Sequence, residues 1–210
     1  MINVCAACGV YHADMIVEAS RVETSGVAVC PACGHREPFA MQPLLLIGGA
    51  SAAGKSTVCR RIAARCGRAI VLETDILWRA EFNTPANRYR DYFEMWLRLA
   101  KNVGQAGRPA VLIGAGFAVP DNVEPCIERR YFSTVHYLAL VCDDPVLSAR
   151  LRARPAWREA LDTADQQVAF NRWLVDYRGE PPIDRIDTTD ADEEATAKAV
   201  LHWIDARLGE

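Results

Sequence analysis

The segment that most constrains the fold is LLLIGGASAAGKST, residues 44–57. Its unbroken apolar start is typical of a buried parallel strand. A loop with the spacing G-x-x-x-x-G-K-[ST] follows, and KSTVCRRIAARCG then has the apolar spacing of a helix. We therefore predict a strand, a tight glycine loop and a helix, in that order, within an α/β domain.

The chemistry of this loop predicts that it holds a nucleoside triphosphate. Glycines let the backbone approach phosphate oxygens, and the amide groups with the helix N-terminus supply positive potential. Lys55 is expected to reach the β- and γ-phosphates, and the Ser56 hydroxyl to hold Mg²⁺. The predicted phosphate-binding residues are Gly49, Ala50, Ser51, Ala52, Ala53, Gly54, Lys55, Ser56 and Thr57. A glycine turn without a ligand is the alternative, and the flanking strand and helix argue against it.

The first forty residues contain two cysteine pairs with metal-ligand spacing. Each pair is a C-x-x-C followed by glycine, and the four cysteines are Cys5, Cys8, Cys30 and Cys33. This spacing points two thiolates of one turn at a single ion and predicts a structural zinc site. A redox dithiol is the alternative, but such a pair is expected near a βαβ pattern, which this segment lacks. His12 and His35 lie close to the pairs and are alternative ligands.

The segment between the cysteine pairs alternates in polarity as short strands do, so residues 1–40 resemble a zinc ribbon. Residues 36–43, REPFAMQP, are predicted as the linker to a second domain, residues 44–210. A ribbon of this length has too little core to stand alone, so its zinc is expected to contribute to its folding.

Two acidic residues follow the second apolar strand, AIVLETD, residues 69–75. Parallel strands place their carboxyl ends at the ligand crevice, so Asp75 is expected to face the phosphate site. There it can accept the proton of an attacking hydroxyl or hold a magnesium-bound water. The alternative is that Asp75 caps a helix, and the role of Glu73 stays open.

The third predicted strand, residues 109–117, ends in glycines instead of the acid common in hydrolytic ATPases. Mg²⁺ would then rely on Ser56, water and Asp75.

Before this strand, a helix is predicted from about Ala86, with a core stripe of Tyr92, Met95, Trp96 and Leu99. Arg88 at its start is either an acceptor contact or part of the surface.

The remaining strands are predicted at 135–142 and 182–189, and the last helix is expected to start with a capping box of Asp190 and Glu193. Between those strands, Arg150, Arg154 and Arg158 recur every four residues. A solvated basic helix face is the plain interpretation of this arginine spacing.

The chain from residue 44 onward resembles the small P-loop kinases of the nucleoside-monophosphate kinase superfamily. This superfamily includes gluconate, shikimate and adenylylsulfate kinases and chloramphenicol phosphotransferase. The resemblance rests on the strand, loop and helix, on TDILWR and IGAG, and on the arginine segment. The resemblance covers residues 44–210. It implies a five-stranded parallel sheet of order 2-3-1-4-5, ATP and Mg²⁺ as cofactors, and a lid around residues 150–164 whose Arg150 and Arg154 stabilise the transferred charge. It also implies that Asp75 contacts the acceptor hydroxyl.

The same resemblance suggests Asp75, Arg79, Gly114 and Gly116 as acceptor-binding residues. Arg88 is added to this predicted set from its place at the helix start. The turn after the fifth strand, with Thr188 and Thr189, lies near the nucleotide base in this family. We therefore predict an α/β P-loop kinase domain with an N-terminal zinc ribbon.

The net charge and the hydropathy of the chain bear on its partners and its location. The formal charge is −3, whereas a surface that binds duplex nucleic acid is usually basic, so a small-molecule acceptor is favoured over nucleic acid. No apolar run of about 18 residues is present, and no signal peptide is evident, so a cytoplasmic location is expected. The alternatives to a small-molecule kinase are a nucleic-acid end kinase that uses the ribbon for binding, and a nucleotide-dependent regulatory protein. The acceptor, the choice between ATP and GTP, and the oligomeric state stay open.

Overall fold

The structure, a computed structural model, describes residues 2–19, 24–84, 86–154 and 161–209. Its internal contacts divide the chain into two compact units. The ribbon unit consists of Met1–Leu44, Trp78–Ala110 and Asp121–Val135, and the P-loop unit consists of Leu45–Leu77, Val111–Pro120 and His136–Glu210. Within the described residues, no helix combines the length and apolar character needed to cross a membrane.

The ribbon unit contains a three-stranded antiparallel sheet in the order β1-β2-β3. The strands are β1 (Ile16–Ala19), β2 (Ser25–Val29) and β3 (Arg36–Ala40). The interpretation of residues 36–43 as a linker was therefore wrong for its first five residues. They pair along their length with β2, from Arg36 opposite Val29 to Ala40 opposite Ser25.

Helix α2 (Arg90–Gly104) belongs to the same unit and begins four residues later than predicted. Arg88 and Tyr89 have φ values of +43° and +63°, a left-handed conformation that an α-helix cannot contain. The predicted core stripe was also partly wrong, since Leu99 is exposed. The buried face of the helix is formed by Tyr92, Phe93, Trp96, Leu97, Ala100, Lys101 and Gly104.

The five-stranded parallel sheet has the order β5-β6-β4-β7-β8. Its strands are β4 (Leu44–Gly49), β5 (Ile70–Glu73), β6 (Ala110–Ile113), β7 (Val135–Val141) and β8 (Ile183–Asp187). Counted from β4, this is the order 2-3-1-4-5 that the resemblance implied. The central strands β4 and β6 are buried along their whole length, as their unbroken apolar sequences require.

The remaining helices are α1 (Lys55–Ile62), α3 (Pro120–Val123), α4 (Asp144–Arg152), α5 (Leu161–Asp176) and α6 (Glu193–Arg207). Helices α1 and α6 pack together on an apolar core that includes Ile47, Ile62 and Ile204. The predicted cap of α6 was wrong by two residues, because Asp192 accepts the hydrogen bond from the Ala195 amide at 2.6 Å. The parallel sheet brings the segments that follow β4 and β5 to one edge.

Candidate active site

The loop after β4 leaves the sheet through a space that admits only glycine. A Cβ on Gly48 would lie 2.5 Å from the backbone nitrogen of Ala118, and a Cβ on Gly49 would lie 2.5 Å from the carbonyl oxygen of Leu140. Gly49 also has a φ of +147°, which would strain a side chain. The glycine pair therefore lets the backbone turn directly out of the sheet.

The end of the loop is fixed by backbone conformation. Gly54 is the N-cap residue of α1 and has a φ of +106°, although a Cβ there would meet nothing within 4 Å. Ala52 has a φ of +68°, a strained conformation of the kind that clusters at functional sites. Because the first N–H groups of α1 have no partner within the helix, the loop and the helix start can bind an anion.

Lys55, the first residue of α1, bends back over the loop. Its Nζ donates hydrogen bonds to the carbonyl oxygens of Gly49 and Ala50, both at 2.9 Å. Burial lowers the pKa of Lys55 to about 8, while the negative charge of Asp75 raises it and the positive charge of Arg154 lowers it further. Asp75 and Arg154 therefore both act electrostatically on the Lys55 ammonium.

Gln167 on α5 contacts the loop and was not predicted from the sequence. Its Oε1 accepts a hydrogen bond from the Ser51 amide at 2.7 Å. A phosphate oxygen at this position would have to replace the Gln167 carbonyl. No sequence pattern could have identified Gln167, because 116 residues separate it from its partner. Ser56 and Thr57, on the first turn of α1, are partly exposed.

The two acids at the end of β5 act on different neighbours. Asp75 is exposed on the 3₁₀ turn Thr74–Leu77, and its charge acts on Lys55. Burial and, after it, the charge of Glu73 raise the pKa of the Cys59 thiol on α1 to about 11. This separation favours Asp75 over Glu73 as the acid of the loop site.

The chain after β6 passes very close to the Asp75 turn. A Cβ on Gly114 would lie 1.7 Å from Thr74 Oγ1 and 3.5 Å from Asp75 Oδ1. The Gly114 amide donates to the Ile47 carbonyl oxygen at 3.0 Å, and Gly116 has a φ of +78°. Residues 113–116 contain no acidic side chain. At this end of β6, residues 113–116 therefore offer backbone groups and no carboxylate to a ligand.

Arg150, on α4, is held against the turn that follows β8. Its guanidinium donates to the carbonyl oxygens of Thr188 at 2.7 Å and Thr189 at 3.3 Å, and to the Thr188 hydroxyl at 3.2 Å. The Thr188 hydroxyl lies within hydrogen-bonding distance of the Val141 carbonyl oxygen, at 3.1 Å, and of the Ala53 carbonyl oxygen of the loop, at 3.3 Å. Residues 155–160 of the predicted lid, with Trp157 and Arg158, lie outside the described residues.

A cavity of about 350 Å³ lies beside the loop in the P-loop unit. Its walls include residues 52–54, Thr57, Arg150, Arg154 and Thr188. The volume is within the range of small-molecule sites. The cavity thus connects the predicted phosphate loop with two of the predicted lid arginines and with the turn after β8.

A family model described as an AAA domain matches residues 44–172, more than half of the chain. The chain belongs to this AAA-domain family. The match begins at β4 and includes the loop, the Asp75 turn, the glycines after β6 and helix α4. No curated protein matches this AAA-domain protein.

Solved kinase structures have the same fold as this AAA-domain protein. An unliganded sugar kinase from Janibacter sp. HTCC2649 is 17% identical with a TM-score of 0.57, covering 80% of this chain and 97% of its own. A gluconokinase from Sinorhizobium meliloti 1021 is 21% identical with a TM-score of 0.55, covering 80% and 96%. Shikimate kinase from Acinetobacter baumannii, in complex with shikimate, is 18% identical with a TM-score of 0.52, covering 80% and 94%. These likenesses confirm the P-loop kinase fold.

The ribbon unit of the AAA-domain protein brings the four predicted cysteine ligands together. The sulfurs of Cys5, Cys8, Cys30 and Cys33 all lie within 4.8 Å of one another. The Cys5–Cys33 and Cys8–Cys30 sulfur distances are 3.6 and 3.8 Å. A tetrahedral zinc with Zn–S bonds of about 2.3 Å requires S–S distances of about 3.8 Å, so the cluster fits zinc.

Backbone turns hold the cysteine knuckles in this arrangement. Gly9 and Gly34 have φ values of +72° and +73°, and their amides donate to the carbonyl oxygens of Cys5 and Cys30 at 2.9 Å. A hydrogen bond from the Cys8 backbone lowers the pKa of the Cys5 thiol to about 6. A thiolate is the form that binds a metal. Neither His12 nor His35 belongs to the cluster formed among the described residues.

The two arginines predicted to bind the acceptor, Arg79 and Arg88, belong to the ribbon unit. Both are exposed, and the Arg79 guanidinium lies over the Phe82 ring at 5.4 Å from its centroid. Trp78, beside Arg79, packs against Tyr89, beside Arg88, with ring centroids 5.3 Å apart. The aromatic contact therefore links the two segments that carry these arginines.

Proposed function

We propose that this AAA-domain protein is an ATP-dependent kinase that transfers a γ-phosphoryl group to a hydroxyl or phosphate of a small molecule. The observation that carries the proposal is the position of Asp75 near the phosphate loop. A Cβ on Gly114 would lie 3.5 Å from Asp75 Oδ1, and the Gly114 amide donates to Ile47 in β4, the strand that leads into the loop. The charge of Asp75 also acts on Lys55. A cation that binds phosphate and an acid that accepts a proton then act at one site. The kinase fold of the solved neighbours supports the same reaction class.

In this proposal, the loop of residues 49–57 binds the phosphates. The amides of the loop and the ammonium of Lys55 stabilise their negative charge, after Lys55 exchanges its contacts with Gly49 and Ala50 for phosphate oxygens. Ser56 would hold Mg²⁺, which would supply further charge neutralisation when bound. Ser56 is partly exposed on the first turn of α1, as a metal ligand requires.

Asp75 orients the acceptor hydroxyl and takes its proton as the acceptor oxygen bonds to the γ-phosphorus. The bond from that phosphorus to the bridging oxygen breaks in the same step, and ADP leaves. Its exposure allows contact with an acceptor, and Gly114 leaves room beside it. The backbone of Gly114 and Gly116, apart from the Gly114 amide that is bonded to Ile47, is proposed to contact the acceptor. Arg79 and Arg88 are proposed to bind an acidic group on it. The glycine end of β6 favours transfer over hydrolysis, because the acid typical of hydrolytic ATPases is missing.

Arg154 is proposed to stabilise the charge of the phosphoryl group in transfer, since its charge already acts on Lys55. Arg150 has a different position, against the carbonyl oxygens of Thr188 and Thr189. We propose that Arg150 forms a wall of the nucleotide-base pocket within the 350 Å³ cavity. A planar guanidinium held in this way can stack on a base.

The test uses ATP labelled at the γ-phosphate, the zinc-loaded full chain and a pool of small metabolites. Transfer of label to one or more small molecules, lost in Lys55→Ala but retained in Lys198→Ala, is the expected result. Lys198 is a matched control because it is an exposed lysine on α6. ATP binding without any labelled product would contradict the kinase and favour a nucleotide-dependent regulatory protein.

A further inference from the structure

The ribbon shares its core with helical elements of its own unit. An apolar cluster contains the ligands Cys5 and Cys30 together with Met15, Phe39 and Tyr131. Tyr131 comes from the 3₁₀ helix Ile127–Tyr131, and its hydroxyl accepts a hydrogen bond from the Met15 amide at 3.1 Å. The metal site and the 3₁₀ helix are therefore packed into one core.

Next to this core, buried charged side chains connect the 3₁₀ helix to helix α2. Lys101, on α2, is 4% exposed and donates to Glu128 Oε2 at 2.5 Å. Glu128 is fully buried and also accepts from Arg98 at 2.7 Å. The Lys101 ammonium lies 4.1 Å from the centroid of the Tyr131 ring. Because a buried ammonium is costly unless it is paired, the contacts of Lys101 with Glu128 and Tyr131 tie α2 to the 3₁₀ helix.

Asn3 connects the same lysine to the first cysteine knuckle. Its Oδ1 accepts from Lys101 Nζ at 2.6 Å, and its Nδ2 donates to the carbonyl oxygens of His12 at 2.9 Å and Ala13 at 3.2 Å. Asn3 is 7% exposed and lies two residues before the ligand Cys5. The chain that returns from the knuckle is tied to it by the Cys5 amide, which donates to the Val10 carbonyl oxygen at 3.1 Å. The knuckle and this returning chain together hold the amide that contacts Lys101.

Helix α2 also supports the segment with the proposed acceptor arginines. Tyr92, in its first turn, packs against Trp78 and Phe82 with ring centroids 5.6 and 5.4 Å apart. Arg79 lies between these two aromatic residues in sequence. A shift of α2 would therefore move Arg79.

We propose that the ribbon is a metal-dependent positioning element, in which zinc at the four cysteines fixes Asn3, Asn3 and Glu128 fix Lys101, and α2 thereby holds the acceptor-binding segment around Arg79. Asn3, Lys101 and Glu128 are positioning residues and do not touch substrate. Zinc occupancy then sets the affinity for the acceptor and leaves the affinity for ATP unchanged. The term acceptor-binding rests on the proposed function, whereas the coupling of zinc to α2 does not.

Hydrogen–deuterium exchange of the full chain tests the coupling without any acceptor. We expect removal of zinc by a chelator to increase exchange in residues 90–104 by about tenfold or more. Exchange in residues 49–62 and the Kd for a fluorescent ATP analogue should stay within about twofold. Unchanged protection of α2, or an equal loss in both segments, would overturn the proposal.

The Asn3→Ala variant removes the hydrogen bond to Lys101 and leaves all four cysteine ligands in place. We expect it to bind one zinc per chain and still lose protection in α2. Asp14→Asn is the matched control, since it removes an exposed ion pair with Arg130 in the same unit and should leave α2 protected. Wild-type protection of α2 in zinc-loaded Asn3→Ala would contradict the proposed link.

With an acceptor identified, Asn3→Ala should raise the KM for that acceptor about tenfold, with kcat and the KM for ATP unchanged. An unchanged acceptor KM would overturn the role in acceptor binding. If no acceptor is phosphorylated by the wild type, the proposed kinase function fails, while the exchange measurements still decide whether zinc holds α2.

Discussion

Gly114 passes the end of β5 so closely that a Cβ on it would lie 1.7 Å from the hydroxyl oxygen of Thr74. The next residue, Asp75, is the proposed proton acceptor. We predict that Gly114→Ala displaces the Thr74–Leu77 turn, destabilises the fold by roughly 1–3 kcal/mol and lowers transfer more than ATP binding. Urea unfolding and the rate of transfer from labelled ATP measure these effects.

Gly67→Ala is the control for that change. A Cβ at Gly67 meets nothing within 4 Å, and its φ is not in the left-handed region. We expect this variant to keep wild-type stability within about 1 kcal/mol, because alanine reduces the entropy of the unfolded chain at no steric cost. Equal losses in the two alanine variants would show that the close approach of Gly114 to Thr74 has no special effect.

The lowered pKa of Lys55, about 8, predicts a pH dependence of ATP binding. Phosphate binds the protonated ammonium, and binding raises the pKa of Lys55, so affinity is constant below pH 8 and falls as the pH rises through it. The Kd for ATP should increase by up to about tenfold per pH unit above that point. Isothermal titration calorimetry between pH 6.5 and 9.5 checks this.

The Lys55→Arg variant tests whether Lys55 is the titrating group. A guanidinium stays charged throughout this range, so the variant should bind more weakly than the wild type at pH 7 but without the alkaline decline. A decline of the same size in Lys55→Arg would assign the titration to another group.

Arg150 is predicted to contribute more to binding of the nucleotide base than to binding of the phosphates, because it lies against the turn after β8. We expect Arg150→Ala to weaken ATP binding about tenfold or more while binding of inorganic triphosphate changes little. Arg152→Ala, an exposed arginine on the same helix, is the control and should bind both ligands normally. An equal loss for ATP and triphosphate would place Arg150 at the phosphates.

The buried pair of Lys101 and Glu128 predicts non-additive stability. Glu128→Leu leaves the Lys101 ammonium buried with its carboxylate partner removed, so we expect a loss of roughly 3–5 kcal/mol of unfolding free energy. The double variant Lys101→Met with Glu128→Leu removes both charges and should be more stable than Glu128→Leu alone. Urea unfolding of the zinc-loaded chain gives the values. A double variant less stable than Glu128→Leu would contradict the electrostatic interpretation.

The nucleotide-binding part of the fold could be predicted from local sequence. The apolar run of β4 specifies a buried strand, and the glycines after it specify the loop, because each requirement lies within a few residues. The order of the strands followed from the resemblance and agrees with the structure. The four cysteines were recognisable because metal-ligand spacing is itself a local pattern.

Features that depend on distant contacts could not be predicted. Residues 36–40 have the composition of a linker, and only their pairing with β2 makes them a strand. Leu99 fits a helical stripe, but the face of α2 that is buried is the one that includes Lys101. The burial of Lys101 requires Asn3 and Glu128, which lie 98 and 27 residues away in sequence. Gln167 was missed for the same reason.

We propose that Asp75 acts on the acceptor while Lys55 binds the nucleotide. The Asp75→Asn variant, compared with the wild type in both ATP affinity and transfer of labelled phosphate, tests this division of roles. Asp205→Asn, an exposed aspartate on α6, is the control. We predict that Asp75→Asn loses transfer by about a hundredfold or more with the Kd for ATP within about threefold of the wild type. Full transfer activity in Asp75→Asn would show that Asp75 is not the proton acceptor.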